Sequence, residues 1–246
     1  MSIIADPAAR FARAQEKQTL LLRFLRDEIY TTPSVVAELL QIDARAARRT
    51  VATLERAGYV KRHALNLIPD TPPAHIIGIT AVGQSNAFDP ALGEKVITRW
   101  FERDRFSLVY LKHTLDVQRL RIAAARAGVE KWRNGDRLEA VQKGVKKPDA
   151  LCIDLSGKRT AIECERSVKS PKSYADVLGA HLQAIQQSKW RRVIWSCPDQ
   201  QTREKVRALV LSVKLVRVAA VPTPIVPAQH HALLSFCTHS EFSSLL

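Results

Sequence analysis

The chain is short of cysteine, of long apolar runs and of acid, and each shortage closes off a class of protein. Four cysteines in 246 residues (Cys152, Cys164, Cys197 and Cys237) include no C-x-x-C pair, which excludes a disulfide framework and a zinc ribbon. In their apolar, strand-like contexts they read as reduced core thiols of a cytoplasmic protein. No stretch approaches membrane-spanning length, and the opening MSIIADPAARFARAQEK lacks the apolar centre of a secretory leader, so no membrane insertion is expected. No H-x-H occurs. The adjacent His230-His231 follows the Pro-rich VPTPIVP (221–227), which reads as an extended loop, and is taken as a surface pair. Internal repeats and low-complexity segments are also missing.

Acid is outnumbered, with 24 Asp and Glu against 38 Lys and Arg, a net charge of +14. A surface this basic is expected to meet a polyanion, and nucleic acid is the commonest. The first third of the chain suggests where. KQTLLLRFLRDEI (Lys17 to Ile29) has the period of an amphipathic helix, and Pro33 opens a second, PSVVAELL. After a turn at Gln41-Ile42, Asp43 caps a third helix that Gly58 ends. Ala44, Ala47, Val51 and Leu54 share its inner face, while Arg45, Arg48 and Arg49 lie together outside. Tyr59 to Arg62 and Ile76 to Thr80 read as two strands. Three helices and a hairpin in this order resemble the winged helix-turn-helix. That resemblance implies a recognition helix positioned on DNA by Arg45, Arg48 and Arg49, with Lys61 and Arg62 on phosphates.

Asn86 to Pro90 marks a boundary between domains over 1–86 and 87–246. Beyond it the sequence predicts helices at Ala91–Arg105 and His113–Gly128 and a strand near Leu138. A hairpin at 149–165, a helix at Pro171–Lys189, a strand at Arg192–Cys197, a helix at Asp199–Leu211 and a strand at Lys214–Ala220 follow. Helices bracketing a hairpin and then alternating with strands specify a mixed α/β domain.

The acid that is present is concentrated. In KPDALCIDLSGKRTAIECE (147–165), two apolar runs flank Ser156-Gly157-Lys158, a turn signal. Glu163 and Glu165, two apart, share a strand face. A three-residue loop at 156–158 pairs Leu155 with Arg159 and puts Asp149 opposite Glu165 on that face; a two-residue loop moves it to the other. Clustered carboxylates need a cation nearby, and magnesium, hard and oxygen-seeking, suits them. Asp149, Glu163 and the Cys164 backbone carbonyl would hold it, and Lys169 could stabilise developing charge. The bland alternative is a solvated sheet face paired with lysines and arginines.

Pro148-Asp149, a hairpin, then Glu163-x-Glu165 before a long helix resembles the core of the PD-(D/E)-x-K nuclease superfamily, except that Glu165 stands where lysine is usual and Lys169 is the substitute. With His113-Thr-Leu-Asp-Val-Gln-Arg-Leu upstream and Tyr174 downstream, the pattern is similar to the replication-relaxation family, which includes MobC-type plasmid relaxases. The resemblance implies a winged helix before a restriction-endonuclease-like domain with a mixed central sheet. It further implies strand-specific nicking of supercoiled DNA at an origin of transfer, initiating conjugative mobilisation. Magnesium or manganese would be the cofactor, with no small-molecule cofactor, and an accessory mobilisation protein and a type IV coupling protein would be partners. Asp149, Glu163, Glu165 and Lys169 are its catalytic residues. His113, Glu139 and Tyr174 are auxiliary candidates, for substrate orientation, metal ligation and nucleophilic attack. Two other readings stay open: a winged-helix regulator of replication or transcription without catalysis, and a double-strand restriction-type nuclease.

Overall fold

The structure, a computed structural model, describes residues 6–65, 74–89, 91, 98–138 and 147–246. It is mixed α/β and divides into two compact units, 1–115 and 116–246.

The first unit begins with α1 (Pro7–Glu28), which starts ten residues earlier than the apolar period suggests because Asp6 caps it, accepting the Ala8 and Ala9 N–H groups at 3.0 and 3.2 Å. A short strand, β1 (Tyr30–Thr31), leads to α2 (Pro33–Leu40), which opens on a proline where a missing N–H costs nothing and ends at Gln41 in the left-handed region. Asp43 caps α3 (Ala44–Arg56) through the Ala46 N–H at 2.8 Å. Ala47, Val51 and Leu54 are buried against Leu21, Leu25, Val36 and Leu40, whereas Ala44, in the first turn, is exposed rather than inward. The strands β2 (Val60–Leu65) and β3 (Ala74–Ile79) pair antiparallel, and β1 adds to the outer edge of β3. Two residues are too few to show alternation, so β1 had no signal of its own.

After α4 (Ala81–Asn86), the helix expected over Ala91–Arg105 is not seen in its described part. Residues 98–102 are irregular and Arg103–Arg105 forms a single 3₁₀ turn; 92–97 lie outside the described residues. Tertiary contacts explain the difference. The Phe101 N–H donates to the Ile79 carbonyl at 3.0 Å, and its ring lies where a side chain on Gly78 would stand, against Tyr30, His63 and Phe106. Residues 98–106, which the sequence reading put in the second domain, thus pack within the first unit. The helix α5 (Leu108–Arg126) contains the division between the units.

The second unit is built on β4 (Trp132–Asn134), β5 (Ala150–Ile153), β6 (Arg159–Cys164), α6 (Pro171–Gln186), β7 (Arg192–Cys197), α7 (Gln200–Ser212), β8 (Leu215–Val218), β9 (Val221–Pro224), α8 (Pro227–His230) and β10 (Leu234–Thr238). Five strands form a mixed sheet in the order β10-β7-β6-β5-β4, with β10, β7 and β6 parallel and β5 and β4 antiparallel to their neighbours. One face buries Ala161, Val193 and Trp195 under α6 and α7; the other buries Ile162, Cys164, Ile194 and Cys237 with Val117, Leu120 and Ala124 of α5. No strand is seen at Leu138 itself, which follows a 3₁₀ turn at Gly135–Arg137 while β4 ends at Asn134, and the expected strand's later part lies outside the described residues. The Pro-rich 221–227 is a strand in part, since β9 pairs with β8: an edge ribbon needs only alternate N–H groups, and Pro222 and Pro224 hold alternate positions. All four cysteines are buried free thiols, and burial pushes Cys152 and Cys197 up to about 12 and Cys237 to about 11.

The hairpin register differs from the sequence reading by two residues. Its turn uses Leu155-Ser156-Gly157, with Gly157 at φ 79° supplying the left-handed residue, and Asp154 N–H donates to the Lys158 carbonyl at 2.9 Å. Ile153 pairs with Arg159 and Ala150 with Ile162, and Asp149, just outside the paired residues, donates its N–H to the Ile162 carbonyl at 3.0 Å, which sets it next to the Ile162–Glu163 step rather than opposite Glu165. A shift of two preserves the face.

Asp154 sets that turn. Its Oδ1 accepts the Ser156 N–H, the Ser156 hydroxyl and the Lys158 N–H at 3.0, 2.6 and 3.0 Å. Its Oδ2 accepts Thr160 Oγ1 at 2.8 Å and the Arg192 guanidinium at 2.7 Å. Burial alone would raise its pKa, but these donors outweigh it and hold the carboxyl down at about 2. A carboxyl below its unfolded value stabilises the fold fully above about pH 4, and that contribution is lost as pH falls towards 2. Asp154→Asn is expected to lower unfolding free energy on the order of 2 kcal/mol at pH 7. In urea titrations the gap from wild type should close near pH 2; a gap that does not change with pH would show the charge to be irrelevant.

Candidate active site

Asp149, Glu163, Glu165 and Lys169 come together where β5 begins and β6 ends. The backbone at Pro148 and Asp149 is steered by Gly135, whose N–H donates to the Asp149 carbonyl at 2.8 Å and whose missing side chain leaves room for the Pro148 carbonyl, 2.0 Å from where a Cβ would stand. Asp149 Oδ2 then accepts the Cys164 N–H at 2.8 Å, replacing a ladder bond between the strands. Backbone groups alternate sides along a strand. The Ile162 carbonyl and Cys164 N–H both face β5, and the Cys164 carbonyl is therefore directed to the same side as Asp149, while the Glu165 N–H faces β7 and donates to the Ser196 carbonyl at 2.9 Å.

The two glutamates are both buried, at 3% and 4% exposure, yet have different partners. Glu165 holds Lys169 Nζ with both oxygens, at 2.9 and 3.0 Å. Burial works against the Lys169 charge, but the bond to Glu165 and the fields of Glu165, Glu163 and Asp149 prevail and raise its pKa above that of an ordinary lysine. Lys169 is accordingly a cation at neutral pH and cannot serve as a base. Its side chain remains 44% exposed, so it can still reach an anionic ligand. Glu163 Oε1 lies 2.9 Å from Nε2 of His181, a fully buried residue of α6 that sequence reasoning missed. A signal existed: His181 follows Tyr174 by seven residues on an amphipathic helix, which puts both on the face turned to the sheet.

A divalent cation fits part of this set. Asp149, Glu163 and the Cys164 carbonyl are hard oxygen donors at one strand end, the kind magnesium or manganese prefers. Oxygens of Asp149, Glu163 and Glu165 do not all lie within 4.8 Å of one another, which fits Glu165 being drawn onto Lys169. Among the described residues the group with that spacing is Asp116, Cys164 and His239, on the opposite sheet face. It suits a metal poorly. Arg166 and Arg119 both donate to Asp116, Ser196 bonds His239 Nδ1 at 2.8 Å, and burial with the nearby carboxylates pushes the Cys164 thiol well up. Two guanidiniums make it an ion-pair network rather than a cation site.

The auxiliary residues separate. Tyr174 is fully buried against Trp195, with ring centroids 5.8 Å apart, and its hydroxyl accepts the Lys169 N–H at 3.0 Å. Burial also raises its phenol pKa, so it anchors the loop that carries Lys169 instead of offering a nucleophile. His113 is half-buried on the part of α5 that belongs to the first unit, and Glu139 lies outside the described residues. In the first unit, Arg45, Arg48, Arg49 and Lys61 are exposed. Arg62, expected on phosphates, is clasped by Glu55: its N–H and Nε donate to the two carboxylate oxygens at 3.0 and 2.7 Å, holding that carboxyl below its usual pKa.

Comparison of the chain with family models, curated proteins and solved structures finds no match.

Tyr174→Phe removes only the acceptor of the Lys169 N–H, a loss of about 1 kcal/mol. Hydrogen exchange at the Lys169 amide should quicken about fivefold, with circular dichroism unchanged; an unaltered exchange rate would show that the loop is held by other contacts.

Proposed function

We propose that the chain is a metal-dependent DNA endonuclease that nicks one strand at a plasmid origin of transfer. In this reading the first unit is a winged helix-turn-helix that finds the DNA, and the second is a restriction-endonuclease-like domain of the replication-relaxation type. The observation that carries it is the meeting of Asp149, Glu163, Glu165 and Lys169 at one strand end in a protein of net charge +14. Buried carboxylates are costly to assemble, and a basic protein gains nothing in solubility from them.

Asp149 and Glu163 would hold magnesium or manganese together with the Cys164 carbonyl. When bound, such an ion polarises a phosphodiester and lowers the pKa of its water. Glu165 keeps Lys169 extended and charged, and Lys169 meets the negative charge that grows on the phosphate. Arg45, Arg48 and Arg49 place α3 on the duplex, and Lys61 adds a phosphate contact. Arg62, tied to Glu55, braces β2 against α3, and its side chain remains 46% exposed, so like Lys169 it can still reach a phosphate.

Supercoiled plasmid carrying the origin region, incubated with the full chain and magnesium, should become open-circular. Chelator and Glu163→Ala should each abolish conversion by at least a hundredfold while leaving a gel shift. Linear product would favour a double-strand restriction-type nuclease, and a shift without cleavage under every metal condition would leave a DNA-binding regulator.

Arg48→Ala tests the DNA face separately. It should weaken binding and reduce the slope of log affinity against log salt by about 1. An unchanged slope would remove α3 from the interface.

A further inference from the structure

His181 has no exposed surface, and its ring stands edge-on to Trp190 and Trp195 at centroid distances of 5.6 and 6.1 Å. Its Nε2 is 2.9 Å from Glu163 Oε1, and its Nδ1 has no hydrogen-bond partner among the described residues. A hydrogen on Nδ1 would be a buried donor with nothing to accept it, whereas a bare nitrogen there leaves only a weak acceptor idle. The ring therefore carries its hydrogen on Nε2 and donates it to Glu163.

This makes the partners of the two glutamates chemically unlike. Glu165 faces a cation, Lys169, with both oxygens at 3.0 Å or less, so its charge is compensated inside the protein. Glu163 meets the His181 ring, which fixes one of its oxygens. Both arrangements come from the same stretch of chain. On α6, Tyr174 latches the Lys169 backbone at 3.0 Å, and seven residues later His181 reaches Glu163.

We propose that His181 is a positioning residue for a divalent-cation site: by donating Nε2–H to Glu163 Oε1, it orients that carboxylate towards the cation, while Lys169 occupies both oxygens of the adjacent Glu165. The proposal rests on the metal-dependent reading above and adds to it the residue that orients the ligating glutamate. A histidine donor behind a ligating carboxylate restricts its rotation, and loss of such a donor weakens metal affinity roughly ten- to a hundredfold.

Manganese binding by the full chain, followed by titration calorimetry at neutral pH, tests this with wild type, Glu163→Gln, His181→Leu and His181→Gln, each with its thermal midpoint. Glu163→Gln should abolish binding. His181→Leu, apolar among Trp190 and Trp195, should keep the midpoint within a few degrees and bind manganese about ten- to a hundredfold more weakly. His181→Gln, which restores an N–H donor, should recover most of the affinity. Equal manganese affinity in His181→Leu and wild type, or no recovery in His181→Gln, overturns the proposal while the metal reading stands. Wild type that binds no manganese overturns both. Should His181→Leu fail to fold, ring-nitrogen NMR of the wild type decides: a hydrogen on Nε2 of His181 supports the proposal, and one on Nδ1 overturns it.

Discussion

The arrangement of the second unit depends on one buried carboxylate, Asp154. It receives donors from the turn that follows it, from Thr160 at the start of β6 and from Arg192 at the start of β7. Arg192 also donates to the Leu245 carbonyl at 2.7 Å, so the same network secures the end of the chain. An unpaired charge in that position would be strongly destabilising, and the hairpin has little freedom to slide while every lone pair is occupied. The turn fixes Ile153 opposite Arg159, and the two-residue period of the strands carries that register to the far end, the Ala150–Ile162 pair, beyond which Asp149 donates its N–H to the Ile162 carbonyl.

At that far end the electrostatic problem is inverted. Asp154 has more donors than one carboxylate usually receives, whereas Asp149, Glu163 and Glu165 bring three negative charges into a small space. The protein meets each in a different currency: a backbone N–H for Asp149, a buried imidazole for Glu163 and an ammonium for Glu165. On the opposite face Asp116 is treated differently, with two arginines on one carboxylate and a histidine braced by Ser196.

In the first unit, the +14 charge of the chain matters less than where the arginines end up. Ala47, Val51 and Leu54 fill the core between the helices, and the same 3.6-residue period turns Arg45, Arg48 and Arg49 outward. Arg62 is equally cationic in sequence but shares its charge with Glu55, the next-to-last residue of α3, in a two-pronged contact. Charge counting predicts the sign of the partner; only contacts say which charges remain to meet it.

Features set by neighbours in sequence were legible before the fold was known. Asp43 before α3, Pro33 opening α2, the bounds of β7 and the sharing of a face by Glu163 and Glu165 follow from caps, turn residues and periods of 2 and 3.6. Features set by partners far along the chain were not. The sequence reading weighed a loop at 156–158 or one residue shorter, and the hairpin takes neither: Asp154, bonded to Arg192 38 residues away, belongs to a register with the loop at 155–157. The helix expected over 91–105 gave way at Phe101 to a bond with Ile79 and a place over Gly78. His181 read as an ordinary residue of an amphipathic helix until α6 packed on the sheet and set it beside Glu163. Local chemistry repeats at fixed spacing and is therefore written along the chain, whereas the pairing of residues tens of positions apart depends on packing that no short stretch of sequence contains.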